Sequence, residues 1–129
     1  MKKDIETLED IQNLVNQFDE VVRQDELIGP IFNNIIQDRW PMHLEKMYRF
    51  WQTILLDERT YQGTPFAPHA VMPLEAHHFE RWLTLFYQTV THQYEGIKAN
   101  EALWRADKMA EMFQIKLDHY RKIKGNAII

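Results

Sequence analysis

The chain has 129 residues, a length that suits one domain, and its 45% apolar and 26% charged residues are the ordinary globular mixture. This composition excludes a disordered or low-complexity protein, and a net charge of −4 without a basic block argues against a nucleic-acid partner. Cysteine is absent, so disulfides and thiolate metal sites are excluded. No stretch reaches the about 18 apolar residues of a membrane helix. We therefore predict one soluble, cytoplasmic domain over residues 1–129 with no membrane partner.

Glycine and proline are sparse, and their placement predicts an all-α fold. The four glycines and five prolines leave long uninterrupted intervals that suit helices better than frequent β turns. The first interval, 4–27, carries apolar residues three and four positions apart, as one helix face does. These residues are Ile11, Leu14, Val15, Phe18 and Val22. Thr7 followed by Asp10 resembles a capping box and predicts where this helix begins.

Gly29 and Pro30 end the first helix, because glycine accepts a left-handed cap and proline can open the next helix. A short helix of one or two turns is expected up to Ile36. The second long helix opens near Trp40 and ends about Leu56. One wide face of this helix is nearly apolar, with an imidazole at its N-terminal end. Its members are His43, Met47, Phe50, Trp51 and Ile54.

The segment 57–73 contains three prolines and one glycine within thirteen residues, so a long regular helix is excluded there. It is longer than a typical connection, and long ordered loops are often functional. His69 lies in this loop.

Two further helices are predicted after the loop. The third run, 74–94, places Phe79, Trp82, Leu83, Phe86 and Val90 on one face. The last run covers 101–122, Gly125 is expected to stop it, and the tail after about 124 is expected to fray.

Six histidines are present, and a single histidine in a helical protein is more often a surface or core residue than a ligand. His43 and His69 differ from the others by context, since one heads an aromatic face and the other lies in a proline-pinned loop. A non-haem metal site is a rival interpretation, because Glu75 and His78 have the Glu-x-x-His spacing and His77 is adjacent. Di-iron bundles need that motif twice, and it occurs once.

Several local patterns occur together in a specific order along the chain. The first is the motif Gly29-Pro30-Ile31-Phe32-Asn33-Asn34. The other positions are Trp40, His43, Phe50 and Trp51, then Tyr61, Gly63, Pro65, His69 and Pro73, then Phe79 and Trp82. Together these patterns resemble the group III, or P-type, truncated haemoglobins over residues 4–122, with the first motif similar to the one after the family's second helix. The resemblance implies an all-α truncated globin, a two-over-two helical sandwich whose proline-rich loop carries the proximal histidine.

The resemblance implies haem b as cofactor, with His69 as the proximal ligand of the iron. His43 would be the distal histidine, and Trp82 would present its indole N–H to a ligand bound at the iron. The other implied contacts to the haem are Met47, Phe50 and Tyr61, and Phe18 and Asp19 complete the implied distal pocket. Without the resemblance, Trp82 would be interpreted as a core aromatic residue.

Asp19 departs from the family pattern, which usually has tyrosine after the phenylalanine of the second helix. Tyrosine can donate a hydrogen bond to bound dioxygen, whereas an ionised aspartate can only accept one. A lone carboxylate in an apolar pocket is costly, which leaves three alternatives. Asp19 turns outward to water, stays protonated, or pairs with His43 or Trp82.

The leading hypothesis is a haem protein that binds dioxygen, carbon monoxide or nitric oxide, with peroxide or nitric-oxide chemistry left open and no catalytic residue assigned. A reductase is a possible partner. The alternative is a helical sensor or interaction module that keeps the globin scaffold without haem. Asp19 favours that alternative, whereas the presence of His69, His43 and Trp82 argues against it.

Overall fold

The computed structural model of the chain describes residues 2–61 and 73–128, with side chains as far as residue 122. The described residues form five α-helices and no β-strand, which confirms the predicted all-α class. The helices are α1 (Leu8–Gln24), α2 (Gly29–Ile36), α3 (Trp40–Leu56), α4 (Ala76–Gln93) and α5 (Ile97–Ile128), and a 3₁₀ turn (Gln37–Arg39) joins α2 to α3. None of the described helices is long and apolar enough to cross a bilayer.

The long helices pack as two pairs, α1 with α3 and α4 with α5. The pairs are stacked, because α1 also contacts α4 and α3 also contacts α5. This is the two-over-two arrangement that the resemblance implies. Helix α1 therefore lies at the centre, and its buried face can contribute residues to a site between α3 and α4.

Local sequence determines where α1 begins and where α3 begins and ends. The capping box at the start of α1 is present, since Thr7 Oγ1 accepts the N–H of Asp10 and Asp10 Oδ2 accepts the N–H of Thr7. Helix α3 runs from Trp40, with proline in its first turn, to Leu56. It stops at Asp57, whose left-handed backbone (φ 57°) ends the helix. The predicted bounds of α3 are confirmed.

Gly29 allows α2 to start directly against the end of α1. A Cβ atom at this position would lie 2.8 Å from the carbonyl oxygen of Arg23 and 3.0 Å from that of Val22. Both oxygens belong to backbone that cannot swing away, so a side chain does not fit. The turn between α1 and α2 therefore depends on glycine for space.

Helix α5 begins at Ile97, four positions before the predicted start at 101, because a distant side chain caps it. Asp4 accepts the backbone N–H of Lys98 on Oδ2 (2.9 Å) and that of Ala99 on Oδ1 (2.8 Å). Burial opposes ionisation of Asp4, but these N–H donors outweigh it and lower its pKa below the ordinary value. The helix also continues through Gly125 to Ile128, past the end that the sequence predicts.

An ion pair joins the end of α1 to α4 one residue before Trp82. Asp25 Oδ1 lies 2.8 Å from Nε and 2.7 Å from Nη2 of Arg81, and its other oxygen accepts the N–H groups of Leu27 and Ile28. The Arg81 guanidinium is the largest cause of the lowered pKa of Asp25. This ion pair links the end of α1 to α4 and so helps to set the position of α4 along α1.

Candidate functional site

The predicted pocket residues of three helices meet where α1, α3 and α4 pack together. Helix α1 supplies Phe18 and Asp19, both buried on its inner face. Helix α3 contributes His43, Met47 and Phe50, and α4 contributes the partly buried Trp82. Residues that are separated by up to 64 positions in sequence, from 18 to 82, therefore belong to one region.

A cluster of four aromatic rings fixes the orientation of Trp82. Phe86 lies between Trp82 (5.5 Å between centroids, planes 1° apart) and Trp51 (5.2 Å, 16°). The ring of Phe18 stands edge-on to Trp82 at 5.3 Å and to Phe86 at 5.0 Å. Edge-to-face and offset-stacked contacts are the favourable geometries for aromatic pairs. The indole of Trp82 is thus held by neighbours from its own helix and from α1.

Asp19 and His43 face each other across the α1–α3 interface. Asp19 Oδ2 lies 3.3 Å from His43 Nε2, and the side chains are 10% and 28% exposed. The outward orientation, one of the three predicted alternatives, is therefore wrong. Although the two atoms are this close, Oδ2 of Asp19 is buried without a hydrogen-bond partner among the described residues. A buried oxygen that accepts no hydrogen bond is unusual, and it lowers the stability of the folded state.

The cation closest to Asp19 along α1 contacts a tryptophan ring. Arg23 lies one helical turn after Asp19 on α1, and its guanidinium stacks over the Trp40 ring, 4.6 Å from the centroid. Trp40 in turn stands edge-on to the His43 ring at 5.4 Å. Among the described ion pairs, Asp19 has His43 as its partner and no lysine or arginine. The imidazole is therefore the available positive or hydrogen-donating group for Asp19.

Further along α3, the inner face becomes apolar. Phe50 is buried and stands edge-on to Tyr61 at 5.3 Å, while Met47 and Tyr61 are partly buried. The backbone N–H of Tyr61 donates to Thr53 Oγ1 (3.0 Å), which keeps the residue against α3. Burial raises the pKa of Tyr61, so its hydroxyl stays neutral. These side chains continue the wall that begins at His43.

The rival metal motif has a structural role at the start of α4. His78 Nδ1 accepts the backbone N–H of Glu75 (2.9 Å) and so caps the helix. Burial lowers the pKa of His78, and the adjacent His77 adds to the effect. Within residues 2–61 and 73–128, no group of three or more histidine, aspartate or glutamate side chains is placed to hold a metal ion. The described residues give no support to the non-haem metal hypothesis.

His69, predicted as the iron ligand, lies outside the described residues, together with Gly63 and Pro65 of the same motif. The pocket residues named from the sequence stay a prediction, and sequence reasoning did not assign Trp51 or Phe86 to the support of Trp82. Both occupy the apolar faces of their helices, and that periodicity alone cannot distinguish a core ring from one that orients a site residue.

Comparisons with known proteins agree with this architecture. The sequence matches the family described as bacterial-like globin over residues 4–115. The group 3 truncated hemoglobin ctb of Campylobacter jejuni is 37% identical over 124 residues, which cover 93% of this chain and 98% of that protein. A crystal structure of the group III truncated hemoglobin from Campylobacter jejuni matches with a TM-score of 0.82, covering 91% of this chain and 95% of that one. The chain belongs to the bacterial-like globin family and resembles its group III truncated haemoglobins over nearly its whole length.

Proposed function

We propose that the protein binds haem b in a single domain over residues 1–129 and takes a diatomic ligand at the iron. Membership of the globin family implies haem-based ligand binding. In the proposal His69 would be the proximal ligand of the haem iron, and the iron would take dioxygen, carbon monoxide or nitric oxide as its ligand. The observation that supports it most is that Phe18 of α1 contacts Trp82 of α4 while the adjacent Asp19 contacts His43 of α3.

The described residues fit such a cofactor in the chemistry of their side chains. A flat porphyrin needs an extended apolar wall, and Met47, Phe50 and Tyr61 form one along α3 with part of Met47 and Tyr61 still accessible. A polar ligand at the iron needs hydrogen-bonding groups at one edge of that wall. Trp82 offers an indole N–H that can donate, and the neighbouring Asp19–His43 pair adds polar groups to the region.

When bound, haem supplies reversible ligand binding and redox chemistry at the iron, and the protein controls access and polarity around it. Trp82 is proposed as a hydrogen-bond donor to the ligand, because its indole N–H can only donate. Phe18 and Phe86 hold the indole in place through the ring contacts described above. Repeated binding of dioxygen requires ferrous iron, so an electron-donating partner such as a reductase is part of the proposal.

The test is an absorption spectrum of protein purified from cells supplied with a haem precursor, oxidised and then reduced. We expect a strong Soret band that shifts on reduction and again with carbon monoxide. His69→Ala should lose or alter this band, whereas His119→Ala, which replaces an exposed histidine on α5, should leave it unchanged. An unaltered spectrum in His69→Ala would refute the proximal assignment. A colourless protein that also rejects added hemin would refute haem binding and leave the haemless helical module.

A further inference from the structure

We propose that Asp19 is a positioning residue that accepts the Nε2 proton of His43 and thereby withholds this histidine from the ligand. The two atoms are 3.3 Å apart, so a turn of the ring or of the carboxylate is enough to align a hydrogen bond. The pairing itself depends only on the α1–α3 interface. Its consequence for a ligand at the iron rests on the proposed function.

A rotation of α1 that turned Asp19 toward water would disrupt the inner face of this helix. Its neighbours on that face, Val15, Phe18 and Val22, are 3%, 7% and 3% exposed. A rotation of the helix that exposed the carboxylate would also withdraw the Phe18 ring from Trp82 and Phe86. The carboxylate is therefore kept inside by the burial of the apolar residues around it.

A buried carboxylate needs donors, and His43 is the group that can supply one. Arg23, the nearest cation on α1, covers the Trp40 ring instead. Whether His43 is neutral with the proton on Nε2 or fully protonated, the atom that faces Asp19 can carry a proton. The edge contact from Trp40 limits how far the ring can swing away. The positions of both Asp19 and His43 are therefore limited by contacts with neighbouring side chains.

A proton that Nε2 donates to Asp19 is not available to a ligand at the iron. Trp82 then remains as the donor, oriented by Phe86 and Phe18. This arrangement, with Trp82 as the donor to the ligand, differs from a pocket in which the histidine and a tyrosine both donate. Removal of Asp19 should therefore free His43 to become a second donor.

The pairing is tested by nuclear magnetic resonance on the ferrous, carbon-monoxide-bound protein, and on the haem-free chain if no haem binds. An imidazole proton that donates to a buried carboxylate exchanges slowly and resonates far downfield, whereas a free one exchanges too quickly to be seen. We expect such a signal in the wild-type protein, absent from His43→Leu and from Asp19→Leu. Glu20→Gln is the matched control, because this adjacent carboxylate is exposed and bonds to Gln24 on its own helix.

Absence of the signal from the wild-type protein, or its survival in Asp19→Leu, would overturn the proposal. If Asp19→Leu does not fold, Asp19→Asn takes its place, because the amide is a weaker acceptor and should move the signal upfield. An unmoved signal would then overturn the proposal too. A signal in a chain that takes up no haem would refute the proposed function and leave the pairing intact.

The consequence for ligands is tested by the rate of dioxygen release in a double-mutant cycle. Asp19→Leu should slow release about threefold to tenfold, the effect of one added hydrogen bond. His43→Leu should reverse this slowing in the Asp19→Leu background and have a smaller effect when Asp19 is present, which is a non-additive result. Faster release in Asp19→Leu, or additive effects of the two substitutions, would overturn the claim that Asp19 withholds His43 from the ligand.

Discussion

Asp4 in the N-terminal segment stabilises the fold, and Asp4→Ala should show by how much. Asp4 lies 94 positions before Lys98, yet it accepts the N–H groups of Lys98 (2.9 Å), Ala99 (2.8 Å) and Ile5 (2.8 Å). The first two are donors at the start of α5 that no residue within the helix can satisfy. The negative charge also lies at the positive end of the helix dipole.

Loss of an N-cap side chain costs about 0.5–2 kcal/mol, and hydrogen bonds to a charged acceptor are at the upper end of such effects. We therefore expect Asp4→Ala to lower the free energy of unfolding by about 2 kcal/mol. Asp4→Asn should lose less, because asparagine is also a good cap. The folded-state pKa of Asp4 is lowered, so its stabilisation is present above the unfolded-state pKa and is lost as the pH falls through the folded-state value.

The assay is urea denaturation followed by circular dichroism, at neutral pH and at several acid values. The free energy difference between the wild-type protein and Asp4→Asn should shrink below about pH 4, where unfolded aspartate becomes protonated. Asp118→Ala is the control, since this exposed carboxylate on α5 pairs with Lys122 of the same helix and should matter little. An Asp4→Ala effect no larger than that of the control, or a difference constant with pH, would refute the capping argument.

Two further substitutions test the packing that surrounds the site. Gly29→Ala places a Cβ 2.8 Å from the Arg23 carbonyl oxygen, so urea denaturation should show a loss of about 2 kcal/mol or more, while Asn34→Ala on the exposed side of α2 should show little change. Phe86→Leu removes the ring between Trp51 and Trp82 and should cost about 1–2 kcal/mol and weaken haem retention, measured by transfer of haem to an acceptor apoglobin. Unchanged stability in either variant would contradict the contact described for it.

Helix positions that depend on local chemistry could be predicted from the sequence. Thr7 and Asp10 mark the start of α1, and α3 runs from Trp40 to Leu56 as its apolar face predicts. The start of α5 could not be predicted in this way. The predicted start at residue 101 is too late because Asp4 supplies the cap from the other end of the chain, and no local pattern encodes that contact.

The candidate site, like the helix bounds, could be predicted from the sequence only in part. Family motifs singled out His43 and Trp82, and the structure brings their helices together around α1. The direction of Asp19 could not be decided from spacing, because this residue borders the apolar stripe and a small rotation would expose it. Contacts of Phe18 with Trp82 and Phe86 settle the rotation, and these depend on how three helices pack.

Substitutions of Asp19 also test whether the side chain at this position reaches a ligand at the iron. The resemblance to group III truncated haemoglobins implies tyrosine as the usual residue at this position, and the tyrosine hydroxyl can donate to bound dioxygen as an aspartate carboxylate cannot. We expect Asp19→Tyr to release dioxygen about tenfold more slowly than Asp19→Phe, the value of about one hydrogen bond to a polarised ligand.

Asp19→Phe is the proper reference for this comparison, because both substitutions remove the partner of His43 and add a ring of similar size. Their difference isolates the hydroxyl, whereas comparison with the wild-type protein would mix it with the release of His43. The rates are measured by stopped-flow displacement of dioxygen with carbon monoxide. Equal rates in the two variants would mean that the side chain at position 19 does not reach the ligand. In that event Asp19 would touch the α1–α3 interface alone, and its pairing with His43 would concern packing rather than ligand binding.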